Sequence, residues 1–141
     1  MLKGIDPLLT PDLLHALAAA GHGDRVAIVD ANFPAARVAR RLVAVPGIPA
    51  PRVLDAILSV LPVDDFEPGP IVVMQVVGDT QAVPDAVREF TAVLARHAAP
   101  APVALERHAF YAAAAEAFVV VQTGERRFYG NVLVTTGVVP P

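Results

Sequence analysis

The sequence predicts an α/β fold: one domain, residues 1–141, with three α/β/α layers and a mixed, mostly parallel sheet. Three observations lead there. Helical apolar patterns alternate with short β-branched runs along the whole chain, the pattern of strands covered by helices on both faces. No linker, internal repeat or composition shift divides the chain. At 141 residues the chain is long enough to bury roughly 70% of its unfolded surface and so to hold one core without staples.

The elements follow in order. Pro11–Ala20 reads as a helix, with Thr10 as N-cap, Pro11 in the first turn, Gly21 just past the end and Leu13, Leu14, Leu17 and Ala18 as its stripe. Val26–Val29 is a buried strand bounded by Asp24-Arg25 and Asp30. Asn32-Phe33-Pro34 punctuates, Ala35–Arg41 reads as a short helix, and Leu42–Val45 as a second strand closed by the turn-rich PGIPAP. Pro51–Leu61 is a helix presenting Leu54, Ile57, Leu58 and Leu61 on one side. Ile71–Val77 is the strongest strand pattern, β-branched and free of charge. Asp85–His97 is an amphipathic helix, followed by a short strand at Val103–Leu105 and an Ala-rich helix over His108–Ala117. Two β-rich runs, Phe118–Val121 and Asn131–Thr135, close the chain and are expected to form an antiparallel edge.

Composition removes several function classes. Hydrophobic residues make up 55% of the chain and charged residues 18%, which excludes disorder. The mean hydropathy of +0.53 raises the question of a membrane. The longest stretches without Asp, Glu, Lys or Arg, Pro68–Gly78 and Phe128–Pro141, are broken by Gly or Pro and fall short of the ~18 apolar residues of a spanning helix. Met1–Thr10 has neither a long apolar core nor a small-residue cleavage site, so the expected compartment is the cytoplasm. Eleven basic against 14 acidic residues, with little clustering, argue against a nucleic-acid partner. Cysteine is absent, which excludes disulfide scaffolds and thiolate metal sites. The low charged fraction, against an ordinary ~25%, predicts a homo-oligomer with apolar surface buried between subunits.

Reactive side chains are scarce. None of His15, His22, His97 and His108 forms a metal-binding pair at H-x-H or H-x-x-x-H spacing, so no metal is expected. Ser59, the only serine, reads as buried in a helix and is a poor nucleophile candidate. His15 and His97 read as solvated or locally bonded helix residues. His22 differs: in Gly21-His22-Gly23 the flanking glycines free the backbone for positive φ and leave the imidazole unscreened, near the strand that delivers Asp30. A plain structural turn explains the glycines equally well. Asp30 ends the first strand, on the edge where open α/β sheets bind ligands, or else it is an Asx-turn. Arg107 follows a short strand, and Tyr129-Gly130-Asn131 enters the last one, where such a tripeptide is also an ordinary turn.

GHGD, DANFP, VVGDT, RHAFY and TGERRFYGN, in this order and over essentially the whole chain, resemble the ribose pyranase / L-fucose mutarotase family, most closely its fucose branch. The resemblance implies a cofactor-independent isomerase of sugar anomers, assembled as a ring-forming homo-oligomer, a decamer, with sites at subunit contacts. It also implies His22 as the catalytic group and Asp30, Arg107, Tyr129, Gly130 and Asn131 as the residues that bind a monosaccharide, Arg107 being the fucose-branch alternative to a histidine. Asn32 departs from the DAHFP common in that branch. Anomer exchange needs a proton on the ring oxygen and loss of one from the anomeric hydroxyl, a task for a group titrating near neutrality. Two other readings remain open at this level: ribose pyranose–furanose exchange, and a sugar-binding module without catalysis.

Overall fold

A computed structural model describes every residue, Met1–Pro141. Its elements in chain order are α1 (Pro11–Ala19), β1 (Arg25–Val29), α2 (Ala35–Val38), β2 (Leu42–Val45), α3 (Ala50–Leu58), β3 (Ile71–Met74), α4 (Asp85–Arg96), β4 (Val103–Leu105), α5 (Arg107–Ala115), β5 (Val119–Thr123) and β6 (Val132–Thr135). The six strands form one sheet in the order β2-β5-β1-β6-β3-β4. One face carries α1, α3 and α4, where Leu13, Leu54, Ile57, Phe90 and Leu94 pack on Val26, Ile28, Val121 and Val134. The other carries α2 and α5, where Ala35, Phe110 and Ala114 pack on Ala27, Val29, Val120 and Leu133. The predicted three layers are present, and no helix is long and apolar enough to cross a membrane.

The sheet is mixed as expected, but its antiparallel member is not at an edge. β6 runs antiparallel to both β1 and β3 and lies between them, while β5 pairs in parallel with β1 on its other side. Burial explains the correction. Val132, Leu133 and Val134 are almost wholly buried, whereas the actual edges, β2 and β4, keep exposed residues. The last two strands therefore never meet as a hairpin. Residues 124–131 instead cross the carboxyl end of β1, directly over Asp30.

Element ends depart from the sequence pattern for local reasons. α2 stops at Val38 rather than Arg41, because the Arg41 carbonyl accepts the Val120 N–H of the β5 ladder. There the Arg41 guanidinium lies 4.0 Å from the Phe118 ring centroid. β3 stops at Met74 because Gly78, at φ +80°, turns the chain, and the Val77 N–H donates to the Tyr129 hydroxyl. α1 begins as its sequence directs, with Thr10 Oγ1 accepting the Leu13 N–H at 3.3 Å. Ser59 is not buried in a helix interior; it is the exposed C-cap of α3, and its hydroxyl donates to the Ala56 carbonyl at 2.6 Å.

Phe90 is the pin between α4 and the sheet, fully buried among apolar neighbours. Phe90→Ala should cost about 3–5 kcal/mol, read as a lower urea midpoint at fixed protein concentration. A midpoint equal to wild type would mean that α4 does not close this core.

Candidate functional site

At the carboxyl end of β1 a cleft of about 380 Å³ opens between α5, the 124–131 crossing and the end of β3. Asp30, Arg107, Tyr129 and Asn131 all line it. Four of the residues predicted from sequence therefore meet in one place, although they come from three distant parts of the chain. Gly130 sits buried beneath them.

Asp30 and Asn131 are locked reciprocally. The Asp30 N–H donates to Asn131 Oδ1 at 2.9 Å, and Asn131 Nδ2 donates to Asp30 Oδ2 at 3.0 Å. Both residues are buried, and the Asn32 N–H adds a third bond, to Asp30 Oδ1 at 3.0 Å. Burial raises the Asp30 carboxyl above the ordinary aspartate range, opposed by the Asn32, Phe33 and Gly130 N–H groups and the Asn131 amide. The carboxylate stands on the cleft wall as a charged acceptor.

Tyr129 occupies the left-handed region at φ +61°, which costs a non-glycine residue about 1–3 kcal/mol. That backbone swings its phenol to Val77, whose N–H donates to the hydroxyl oxygen at 3.1 Å. The phenol's own proton is left for the cleft. Gly130 admits no side chain, because a Cβ there would lie 2.5 Å from Glu125 Cγ. Arg107 opens α5, one residue earlier than the sequence suggests, and its exposed guanidinium joins no ion pair. Phe33, set edge-on to Phe110 and tilted against Tyr111, forms a rigid apolar wall. Charged acceptors and donors facing an aromatic wall suit a ligand with hydroxyls on one side and C–H groups on the other.

His22 is elsewhere. It precedes β1, and Asp30 follows it, so the strand of five residues separates them by about 13 Å or more. Within one chain the structure does not unite the expected catalytic residue with the cleft. Nor is the imidazole unscreened. Its Nε2 lies 3.0 Å from Oδ1 of Asp64, and the Phe66 ring packs 5.2 Å away, while 47% of the side chain stays exposed. Gly23 does adopt the positive φ foreseen, +84°.

Asp64 was not legible from sequence. It lies 42 residues from His22 in a loop, and no spacing joins the two. Burial pushes its carboxyl up, but the His22 bond and the Phe66 and Glu67 N–H groups outweigh this and hold it below the ordinary range. An anionic Asp64 accepts from Nε2–H and so orients the ring. His15 is exposed as expected, whereas His97 is neither solvated nor locally bonded: it caps α4, half-buried, and bonds Asp55 of α3 at 2.8 Å. No cluster of three or more His, Cys, Asp or Glu forms a metal-binding group.

Residues 3–139 match the RbsD / FucU transport protein family. A fucose mutarotase from Bos taurus is 35% identical over 147 residues, covering 100% of this chain and 96% of that protein. The crystal structure of a Streptococcus pneumoniae fucose mutarotase in complex with L-fucose superposes with a TM-score of 0.93 at 34% identity, covering 99% of this chain and 100% of the other. Bacillus subtilis RbsD, complexed with D-ribose, shares the fold at 18% identity and a TM-score of 0.77, over 99% of this chain and 100% of the other.

Under the cleft, the Arg127 guanidinium holds Glu125 down at about 2, against the opposing effect of burial. A carboxyl depressed in the folded state stabilises it above the unfolded value near 4.5 and loses that contribution as pH falls toward 2. Wild-type stability should therefore drop by about 3 kcal/mol from this group across that window, a drop missing in Glu125→Gln. Acid unfolding curves of equal steepness for both proteins would contradict the assignment.

Proposed function

The chain belongs to the RbsD / FucU transport protein family, and we propose that it is a cofactor-independent mutarotase that interconverts the α and β anomers of L-fucose in the cytoplasm. The observation that carries the reading is the cleft itself. Asp30 is locked by Asn131 and faces an unpaired Arg107 across a space suited to one monosaccharide. The full-length similarity to fucose mutarotases at 34–35% identity, against 18% for the ribose-bound relative, favours fucose over ribose.

In this reading Asp30 accepts from distal sugar hydroxyls, Arg107 donates to them, and Tyr129 and Asn131 border the ring. The anomeric hydroxyl loses its proton to a base while the ring oxygen gains one. The bond between C1 and the ring oxygen then breaks, giving an aldehyde and a free hydroxyl. Rotation about C1–C2 turns the other aldehyde face to that hydroxyl, and closure returns both protons. His22, oriented by Asp64, is the proton carrier.

His22 and the cleft lie at opposite ends of β1, so the carrier must come from a second copy. Both ends have the apolar surface such a contact needs. Phe66, beside His22, is 67% exposed, and Phe128, beside the cleft, is 78% exposed. Joining one end to the opposite end of the next copy is a head-to-tail contact, which gives a ring where the rotation closes. A ring-based homo-oligomer fits that contact, and its count of ten copies is what the family resemblance implies.

Loss of the carrier acts on the transition state, so His22→Gln should lower the maximal L-fucose exchange rate by about 10²-fold and change affinity only modestly. Asp30→Asn should weaken affinity first. If each site joins two copies, co-refolding the two variants in equal amounts should regenerate about a quarter of the wild-type sites. Mixed oligomers no more active, at limiting L-fucose, than the average of the two separately refolded variants would place both residues in one copy's site and overturn the arrangement.

Exhaustive chelation should leave the wild-type exchange rate unchanged, since every proposed role falls to a side chain. A loss restored by one metal would refute the mechanism.

A further inference from the structure

Glu125 touches neither the cleft nor His22, yet it is a buried carboxylate, 3% exposed, beneath the residues that line the site. Burying a charge costs several kcal/mol unless it is paired and hydrogen-bonded, and here it is both. Oε1 accepts the backbone N–H of Arg127 at 2.9 Å and its Nε at 2.8 Å, and Oε2 accepts from the same guanidinium at 2.9 Å. The Ala50 N–H, at the start of α3, also favours the anion. Arg127 is braced from outside by Glu89 of α4, at 2.5 Å.

The rest of Glu125 points at the site. Its carbonyl accepts the Ala31 N–H at 2.9 Å, next to Asp30, and its N–H donates to Thr123 Oγ1 at 3.2 Å. Its Cγ fills the space that a Cβ on Gly130 would need. The residue after Asp30 and the residue before Asn131 are thus both seated on Glu125. We propose that Glu125 is a positioning residue for the sugar site, clasped by Arg127 so that the 125–131 turn delivers Asn131 to Asp30 in register. The proposal deepens the mutarotase reading and rests on it for its effect on sugar affinity.

The clasp needs an anion. Glutamine has the same shape, but its amide nitrogen cannot accept from the guanidinium, so one arm of the fork opens and the turn loosens. Asp30 and Asn131 remain present, while their mutual bonds are made less of the time. Affinity should fall, and the proton-transfer step, carried by His22, should not.

The test compares wild type, Glu125→Gln and Glu89→Gln by two readouts. One is L-fucose exchange as a function of sugar concentration. The other is amide hydrogen exchange of Asp30 against Val72 and Val73 in β3. Glu125→Gln should weaken apparent affinity ~10-fold while the maximal rate stays within about 3-fold of wild type. Its Asp30 amide should exchange ~10-fold faster, with Val72 and Val73 unchanged. Glu89→Gln loosens only the exposed outer ion pair, leaves the Arg127 fork on Glu125 intact and should match wild type in both. If Glu125→Gln does not fold, Arg127→Gln opens the same clasp from the half-buried side and should shift both readouts in the same direction.

Unchanged affinity and unchanged Asp30 exchange in Glu125→Gln would overturn the proposal. So would a parallel loss of rate, affinity and β3 protection, which marks a merely structural residue. The amide readout requires no activity. A wild-type protein that leaves L-fucose exchange unaccelerated would sink the mutarotase reading, and the Asp30 amide would still decide the role of Glu125.

Discussion

The reciprocal bond between Asp30 and Asn131 is the constraint on which the site depends. It ties the residue just after one central strand to the residue just before its antiparallel neighbour, at the edge where the sheet opens. Without it, a buried carboxylate would stand against low-dielectric surroundings with backbone N–H groups alone to hold it. With it, the 124–131 crossing has a fixed landing point. From that landing point follow the left-handed Tyr129, the glycine requirement at position 130, and the diversion of the Val77 N–H to a phenol. Backbone strain at Tyr129 is offset where the chain is most tightly anchored, as strained functional turns require.

Much of the fold was legible because its signals are local. Thr10, Pro11 and the Leu stripe specify α1 whatever surrounds them, and the charge-free Val runs cannot avoid the interior. What failed were features set by partners far away in sequence. The place of β6 depends on β1 and β3 both needing an antiparallel neighbour, which no local pattern records. α2 ends early because the Arg41 carbonyl is claimed by Val120, 79 residues on. The site divides in the same way. Asp30, Arg107, Tyr129, Gly130 and Asn131 stood out from motifs, and they do converge on one cleft. Asp64, Phe66 and Glu125 did not, since an Asp-Asp pair in a loop and a Glu before two arginines read as solvated charge. Only tertiary contact reveals that both carboxylates are buried.

The two ends of β1 account for the composition as well. A site divided between the start and the finish of one strand gives a single copy half of what the proposed chemistry requires at each edge. The proposed head-to-tail contact would give the apolar, charge-poor surface a use by covering the exposed Phe66 and Phe128. The two edges differ electrostatically: burial raises the Asp30 carboxyl of the cleft, while the His22 bond and two backbone N–H groups hold the Asp64 carboxyl of the far edge below its ordinary range.

Whether the cleft catalyses or merely binds is the central question, and exchange NMR of wild-type protein with L-fucose answers it most directly. The exchange rate between α and β anomeric proton signals is measured at neutral pH against increasing protein concentration. The account predicts a rate that rises in proportion to protein and saturates with sugar. Sugar signals that broaden or shift on binding, with anomer exchange held at the protein-free rate, would contradict it and leave a sugar-binding module in its place.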